Sequence, residues 1–392
     1  MVQELCKQKF LYRKKIKLLQ KLTIVIPSYQ RQDFILRQVA YWGGEHANVV
    51  ILDGSPESLS KKNTKVISMQ NNIKYLHRPI SIYSRLNLAR KLINTPYAVL
   101  LGDDEFYLKR GLSHAIRKLD ADPSLVACIG QSLSFRASCN GRLVEWGAGY
   151  PHHKYEVTQD SPADRLIYAL SNYNAASCYA VMRRREWLRS YTNLKQYTCV
   201  YAGEIQQAIT AYGAGKLSSV DAIYWLRSGE NKPVSNPASW DRQLSFADWW
   251  SLPRFKSERL SFVQGLSKGL MLAAGLTKID SKSIALKSVK IYIESIKNKR
   301  GKTSNVAKAT MWVRFYAGSL LKKILPLRVF NRSQKLFRWF LKIKNSRNYG
   351  NLSHIIQLRP TFLNPKKNKE LSELVNIEKF LLSFYKARFS RG

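Results

Sequence analysis

Between Leu22 and about Tyr155 the chain alternates short apolar runs with amphipathic stretches. The runs LTIVIP (22–27), NVVILD (48–53), IKYLH (73–77), YAVLL (97–101) and SLVACIG (124–130) read as strands. They are continuously apolar rather than alternating, as strands covered on both faces are. Residues 32–42 read as a helix, and Ile82, Leu86, Ala89 and Ile93 recur at helical spacing between the third and fourth runs. Strands alternating with helices predict an α/β fold, a mostly parallel central sheet with helices on both faces. Residues 143–235 are mixed, with helices predicted at 162–170 and 203–212 and strands at 178–182 and 222–226. Beyond Leu252 strand signals disappear, and helical patterns follow at 255–276, 281–298, 306–325, 333–344 and 370–388. The expected organisation is a basic extension over 1–21, an α/β domain over 22–251 and a basic helical region over 252–392.

Charge sharpens that division. The chain holds 65 Lys and Arg against 26 Asp and Glu, a net +39. Residues 254–392 carry 31 basic against 6 acidic residues, so +25 of the excess lies at the C-terminal end. Such a segment seeks polyanions, either nucleic acid or an anionic bilayer surface. No RNP-like, zinc or helix-turn-helix signature accompanies it, which disfavours nucleic acid. Five cysteines without a C-x-x-C pair read as ordinary thiols in a reducing compartment. The first 21 residues lack the apolar core of a secretory signal, and no run of 18 residues is free of charge, so neither secretion nor a membrane span is expected.

Ligands of open α/β sheets bind beyond the carboxyl ends of the strands. Three polar clusters fall at such ends: Pro27-Ser28-Tyr29-Gln30-Arg31, Asp53-Gly54-Ser55 and Gly102-Asp103-Asp104-Glu105. The third is the most unusual, because adjacent carboxylates repel one another by about 1 kcal/mol per close exposed pair. A solvated turn capping the next helix is one account of them; a shared ligand is the other.

LTIVIPSYQR, VVILDGS and YAVLLGDDEFY, in that order, resemble the nucleotide-sugar half of a family 2 glycosyltransferase with a GT-A fold, over roughly residues 22–230. The resemblance implies that Pro27, Ser28, Tyr29 and Arg31 pack beside the nucleotide and that Asp53 hydrogen-bonds its base. It also implies that an acidic D-x-D element after the fourth strand holds Mg²⁺ or Mn²⁺ against the pyrophosphate. Hard cations of this kind take carboxylate and phosphate oxygens. The family pattern L-D-x-D-D is here Leu101-Gly102-Asp103-Asp104-Glu105, so Gly102 replaces the first acid. Without a gap, Asp104 is the metal ligand and Asp103 supplements it; a shift by one makes Asp103 and Glu105 the pair. Ser84-Arg85-Leu86-Asn87 resembles the family's A-R-N segment, placing Arg85 near a phosphate or the base. The alternative for Arg85 is the exposed face of an amphipathic helix.

An inverting transferase needs a base to deprotonate the acceptor hydroxyl. The family's E-D element corresponds to Glu204-Ile205, leaving Glu204 as the candidate catalytic base, although an acid there also suits the helix dipole. Asn174, Trp225 and Arg227 are acceptor-side candidates, with ordinary structural roles as the alternative. In the basic region, Val313, Tyr316, Leu320 and Ile324, then Leu336, Trp339, Phe340 and Ile343, form apolar stripes bordered by Lys and Arg. These suit either a helical bundle or an interfacial face on an anionic membrane.

The functional expectation is a glycosyltransferase moving a sugar from a nucleotide-sugar donor, UDP-linked or alternatively GDP- or dTDP-linked, to a glycan or lipid-linked acceptor in cell-surface polysaccharide synthesis. It is expected in the cytoplasm, at the inner face of the membrane. A sugar nucleotidyltransferase would need a glycine-rich phosphate loop after the first strand, and Pro27 to Arg31 contains no glycine. A non-catalytic binding protein on a degenerate GT-A fold is motivated by Gly102 and Ile205.

Overall fold

The computed structural model describes residues 17–138, 141–150, 154–192, 194–231, 244–298, 349–352 and 369–389. The expected helices at 306–325 and 333–344 lie outside them. Ten strands form one mixed sheet: β1 Leu22–Ser28, β2 Asn48–Asp53, β3 Ile73–His77, β4 Tyr97–Leu100, β5 Phe106–Tyr107, β6 Leu125–Ser138, β7 Leu143–Ala148, β8 Val181–Arg183, β9 Lys216–Ser228 and β10 Tyr349–Gly350. The order is β10-β7-β6-β8-β4-β1-β2-β3, with β9 pairing β5 and β6. Strands β3, β2, β1 and β4 are parallel, as predicted from their apolar runs. Beyond β4, strand β8 runs antiparallel between β4 and β6, and β7 is antiparallel to β6. The chain leaves β1 toward β2 on one side and β4 flanks it on the other, so the crevice between the ends of β1 and β4 is the switch point of the parallel half.

The helices are α1 Gln32–Trp42, α2 Lys61–Ser68, α3 Ile82–Ala89, α4 Lys109–Ala121, α5 Pro162–Ser171, α6 Ala176–Tyr179, α7 Arg184–Thr192, α8 Val200–Ala214, α9 Phe246–Ser251 and α10 Lys256–Ala274, then α11 over 278–298 and α12 Lys369–Phe389. Helix α1 is buried from Phe34 to Trp42, on every side. Ser60, Ser81 and Ser161 cap α2, α3 and α5, each accepting the backbone N–H three residues on.

Three expectations are corrected. The strand over 178–182 divides into α6 and the short β8, because a helical turn seats Ser177 and Cys178 on Gln207 of α8 and lays Tyr179 on Trp225. Strands β6 and β9 outrun their apolar cores, because the two pair with each other through bulges along most of their length. A strand also occurs beyond residue 252, since Tyr349–Gly350 pairs with β7.

Helices after residue 252 pack onto the sheet and its helices. Helix α10 crosses α8 where glycines permit close approach: a Cβ on Gly269 would lie 2.8 Å from Thr210 Oγ1, and one on Gly213 would lie 2.4 Å from Leu270. Helix α12 lies against α1, with Phe384 beside Phe34 and Phe380 beside Tyr41 and Phe106. Glu373 of α12 accepts the backbone N–H groups of Lys109 and Arg110, supplying the cap that the N-terminus of α4 lacks locally.

Candidate active site

The register aligns Ser28 with Asp53 and Asp53 with His77, bringing the ends of β1, β2 and β3 level. Beyond them the three adjacent acids point in three directions, which is how the chain tolerates them. Asp103, 2% exposed, accepts the Ser28 hydroxyl at 2.6 Å and the Arg31 guanidinium at 3.1 Å. Asp104 Oδ2 accepts from the same Arg31 nitrogen at 3.3 Å and from the Asn231 amide at 2.9 Å, and both of these partners line the cleft described below. Glu105 turns back under Gly102 and accepts the Trp225 indole N–H at 3.0 Å. A Cβ on Gly102 would lie 2.9 Å from Glu105 Oε2, so the glycine makes room for that carboxylate. Asp103 and Asp104, not Asp103 and Glu105, are therefore the acids that face a common cation.

The loop backbone is held from α1. Gln38 Nε2 donates to the carbonyls of Asp103 and Glu105 at 2.9 and 2.7 Å, and Arg37 Nη2 to that of Asp104 at 2.7 Å. Arg37 is fully buried among the rings of Phe34, Phe106 and Phe384, and its other bonds go to Glu230 and the Tyr385 hydroxyl. Burial pulls its pKa down while Glu230 and Asp104 oppose that. The sequence reading missed Arg37, Gln38 and Asn231. An Arg-Gln pair inside the otherwise apolar F-I-L-R-Q-V-A-Y-W was the available signal; Asn231 had none.

Two expectations at the strand ends are corrected. Asp53 has no exposed surface, and its oxygens accept Ser55 N–H at 2.9 Å, Ser55 Oγ at 2.6 Å and the Tyr75 hydroxyl at 2.7 Å. It shapes the turn rather than presenting itself to a base. Arg85 lies neither on an exposed helix face nor toward an open ligand space. It is 3% exposed, beneath Gly54, donating to the carbonyls of Ser28, Leu52 and Ile80. Bonds to Ser28 of β1 and Leu52 of β2 let the guanidinium tie the two strand ends together. Pro27 and Tyr29 are half-buried, and Gln30 takes the left-handed φ of 54° that turns the chain toward Arg31. Gln30 N–H donates to Ser55 Oγ, joining the first two clusters.

Beside Asp104 opens a cleft of about 680 Å³, lined by residues 30–34, 55–57, Asn231 and Arg388. On the other side of Glu105 is an aromatic wall. Trp225 stacks on Tyr179 at 3.9 Å and on Tyr150 at 5.5 Å, and the Arg227 guanidinium covers Tyr150 at 4.9 Å. Glu204, the fifth residue of α8 and so past its first turn, accepts the Tyr173 hydroxyl at 2.7 Å. The Asn174 carbonyl accepts the Tyr212 hydroxyl at 3.5 Å.

Burial governs the titration of these groups. It holds Asp103 up at about 6 and Glu105 at about 8, with the charge of Asp104 adding to both; Arg31 and Ser28 pull Asp103 back, and Trp225 pulls Glu105 back. Burial also raises Glu204, against the Tyr173 bond that lowers it. Negative charge in the loop is thus costly, and a cation added there is favoured. Among the described residues no three His, Cys, Asp or Glu converge on one point. Two carboxylate oxygens meeting at one cationic nitrogen nevertheless fit a hard divalent ion whose other ligands are phosphate oxygens and water.

No family model and no curated protein matches the chain. Among solved structures it is similar to residues 1–349 of S. aureus TarS, at 13% identity and a TM-score of 0.41, over 72% of this chain and 92% of that one. The same fragment in complex with UDP-GlcNAc gives 14% and 0.41. Full TarS gives 13% and 0.40, over 70% of this chain and 54% of that one. At these scores the likeness carries no function across.

Proposed function

We propose that the chain is a nucleotide-sugar-dependent, metal-assisted, inverting glycosyltransferase, with UDP-sugars as the first donor class and GDP- and dTDP-sugars as alternatives. The observation that carries this reading is the meeting of Ser28, Arg31, Asp103 and Asp104 at the switch point of the sheet, beside an open cleft. Asp104, with Asp103 behind it, would hold Mg²⁺ or Mn²⁺. When bound, that ion supplies positive charge against the leaving nucleoside diphosphate.

The chain's own residues do the rest. Arg31 is drawn between two carboxylates and is positioned to turn to a phosphate when they are otherwise neutralised. Arg37 and Gln38 hold the loop carbonyls inward, so the acids need not reorganise on binding. Tyr150, half-buried and stacked on the fully buried Trp225, is the ring of the wall offered to a sugar. Glu204, raised by burial, takes the acceptor hydroxyl proton.

The testing experiment is titration of the full chain with UDP-, GDP- and dTDP-sugars, with and without Mn²⁺, followed by nucleoside diphosphate release. Saturable, metal-dependent binding with slow donor hydrolysis is expected. Metal-dependent binding without release, even with acceptors, would favour a non-catalytic binding protein, and pyrophosphate release from NTP and sugar phosphate a nucleotidyltransferase.

The acceptor proposed is a glycan or lipid-linked saccharide at an anionic cytoplasmic membrane face. No helix among the described residues is long and apolar enough to cross a membrane. Helices α10 and α11 nevertheless expose Leu260, Met271, Leu272, Ile279 and Leu286, with Ile279 82% exposed. Exposed Lys256, Lys268, Lys278, Lys282 and Lys287 accompany them. Apolar side chains among lysines suit an interfacial face, with each cation near the surface adding about 1 kcal/mol. The chain is expected to sediment with phosphatidylglycerol vesicles but not phosphatidylcholine vesicles. Leu272→Glu with Ile279→Glu should lower that binding at least about tenfold; equal binding by this variant would remove the α10–α11 face from the reading.

A further inference from the structure

Arg388 is a cleft residue that comes from far outside the region carrying the strand-end motifs. It belongs to α12, yet it lines the opening together with Arg31, Ser55 and Asn231. What places it is helix packing: Phe384 on Phe34, Phe380 on Tyr41 and Phe106, and the Tyr385 hydroxyl accepting from Arg37. The Arg388 guanidinium lies 5.4 Å from the centre of the Phe34 ring. Its ion pair is loose by comparison, with Nε 3.5 Å from Asp33 Oδ2 and the two side chains 39% and 50% exposed.

We propose that Arg388 binds the diphosphate of the nucleotide donor, with Asp33 as the counter-ion that the donor displaces. The inference rests on the donor reading of the cleft. Arg31, the cleft's other arginine, already faces Asp103 and Asp104, whereas the acid beside Arg388 is half-exposed. A solvated pair of that kind is weak and exchanges readily for a doubly charged ligand. Arginine suits the task because its planar fork meets two phosphate oxygens at once. Anchoring by α12 fixes the stem and leaves the head to exchange partners, which lowers the ordering cost of binding.

Calorimetric titration of the full chain with UDP, GDP, dTDP and inorganic pyrophosphate in Mg²⁺ tests this. Arg388→Gln should weaken the nucleoside diphosphate that wild type binds, and pyrophosphate, about tenfold or more, with Arg388→Lys recovering part of the loss. Asp33→Asn should tighten both about threefold, and only while Arg388 is present. An unchanged dissociation constant in Arg388→Gln overturns the inference, as does equal tightening by Asp33→Asn in the Arg388→Gln background. In either case wild-type binding leaves the donor reading standing. A wild-type chain that binds no nucleoside diphosphate overturns both.

Discussion

Replacing Asp104 with Asn is expected to lower donor turnover by about 10³-fold, equivalent to about 4 kcal/mol of transition-state stabilisation. The substitution keeps the shape of the side chain and its place beside Asn231 and Arg31, but removes the charge. Of the three acids, Asp104 is the one bonded to two residues of the cleft lining, Arg31 and Asn231; Asp103 is committed to Ser28 and Arg31, and Glu105 to Trp225. Asn also lessens the repulsion that raises Asp103 and Glu105, so the fold should lose little stability. The measurement is turnover across a Mn²⁺ titration, with a rightward shift of the midpoint and partial recovery at high metal. Turnover within threefold of wild type at every concentration would remove Asp104 from the metal role.

Glu204→Gln should lower turnover by about 10²- to 10⁴-fold while leaving nucleoside diphosphate affinity unchanged. The affinity is spared because Glu204 is bonded to Tyr173, whereas the acid loop is held by Ser28, Arg31, Asn231 and Trp225. Burial raises the Glu204 carboxyl, and a base acts only when deprotonated. Wild-type kcat/KM should therefore fall as pH drops through a value above the ordinary carboxylate range, and the Gln variant should lack that limb. Tyr173→Phe removes the hydrogen bond that favours the carboxylate, so the limb should move to still higher pH. A Gln variant with the wild-type pH profile would assign Glu204 to the helix dipole instead.

The parallel half of the sheet was legible because β1, β2 and β4 are largely buried and so read as unbroken apolar runs, with β3 following as the less buried edge strand. The same runs marked where the polar clusters must emerge, and the three meet, Ser28 and Arg31 on Asp103 and Gln30 on Ser55. What could not be read were contacts between distant segments. Nothing local announces that Arg37 fastens the carbonyl of Asp104, that Trp225 receives Glu105, or that Asp53 is consumed by Ser55 and Tyr75. Arg85 misled because a short amphipathic helix does not show whether its one cation faces water or the ends of two strands. The split at 178–182 escaped for the same reason: an apolar pentapeptide suits a strand or a buried helical turn, and α8 decides between them.

The dependence of α1 on α12 also orders events in time. Arg37 and its partner Tyr385 are 348 residues apart, and the rings of Phe34, Tyr41 and Phe106 share the same late-arriving neighbours. At typical synthesis rates the ribosome needs about 20 to 70 s to make that intervening chain. Throughout that interval the nascent α/β half presents an uncovered aromatic face with a cation at its centre, a natural point of capture for chaperones. Arg37 meets the Tyr385 hydroxyl and the Phe384 ring only after α12 has emerged, so a ribosome-bound chain stalled before α12 should be folded in its sheet yet lack the cover over that guanidinium.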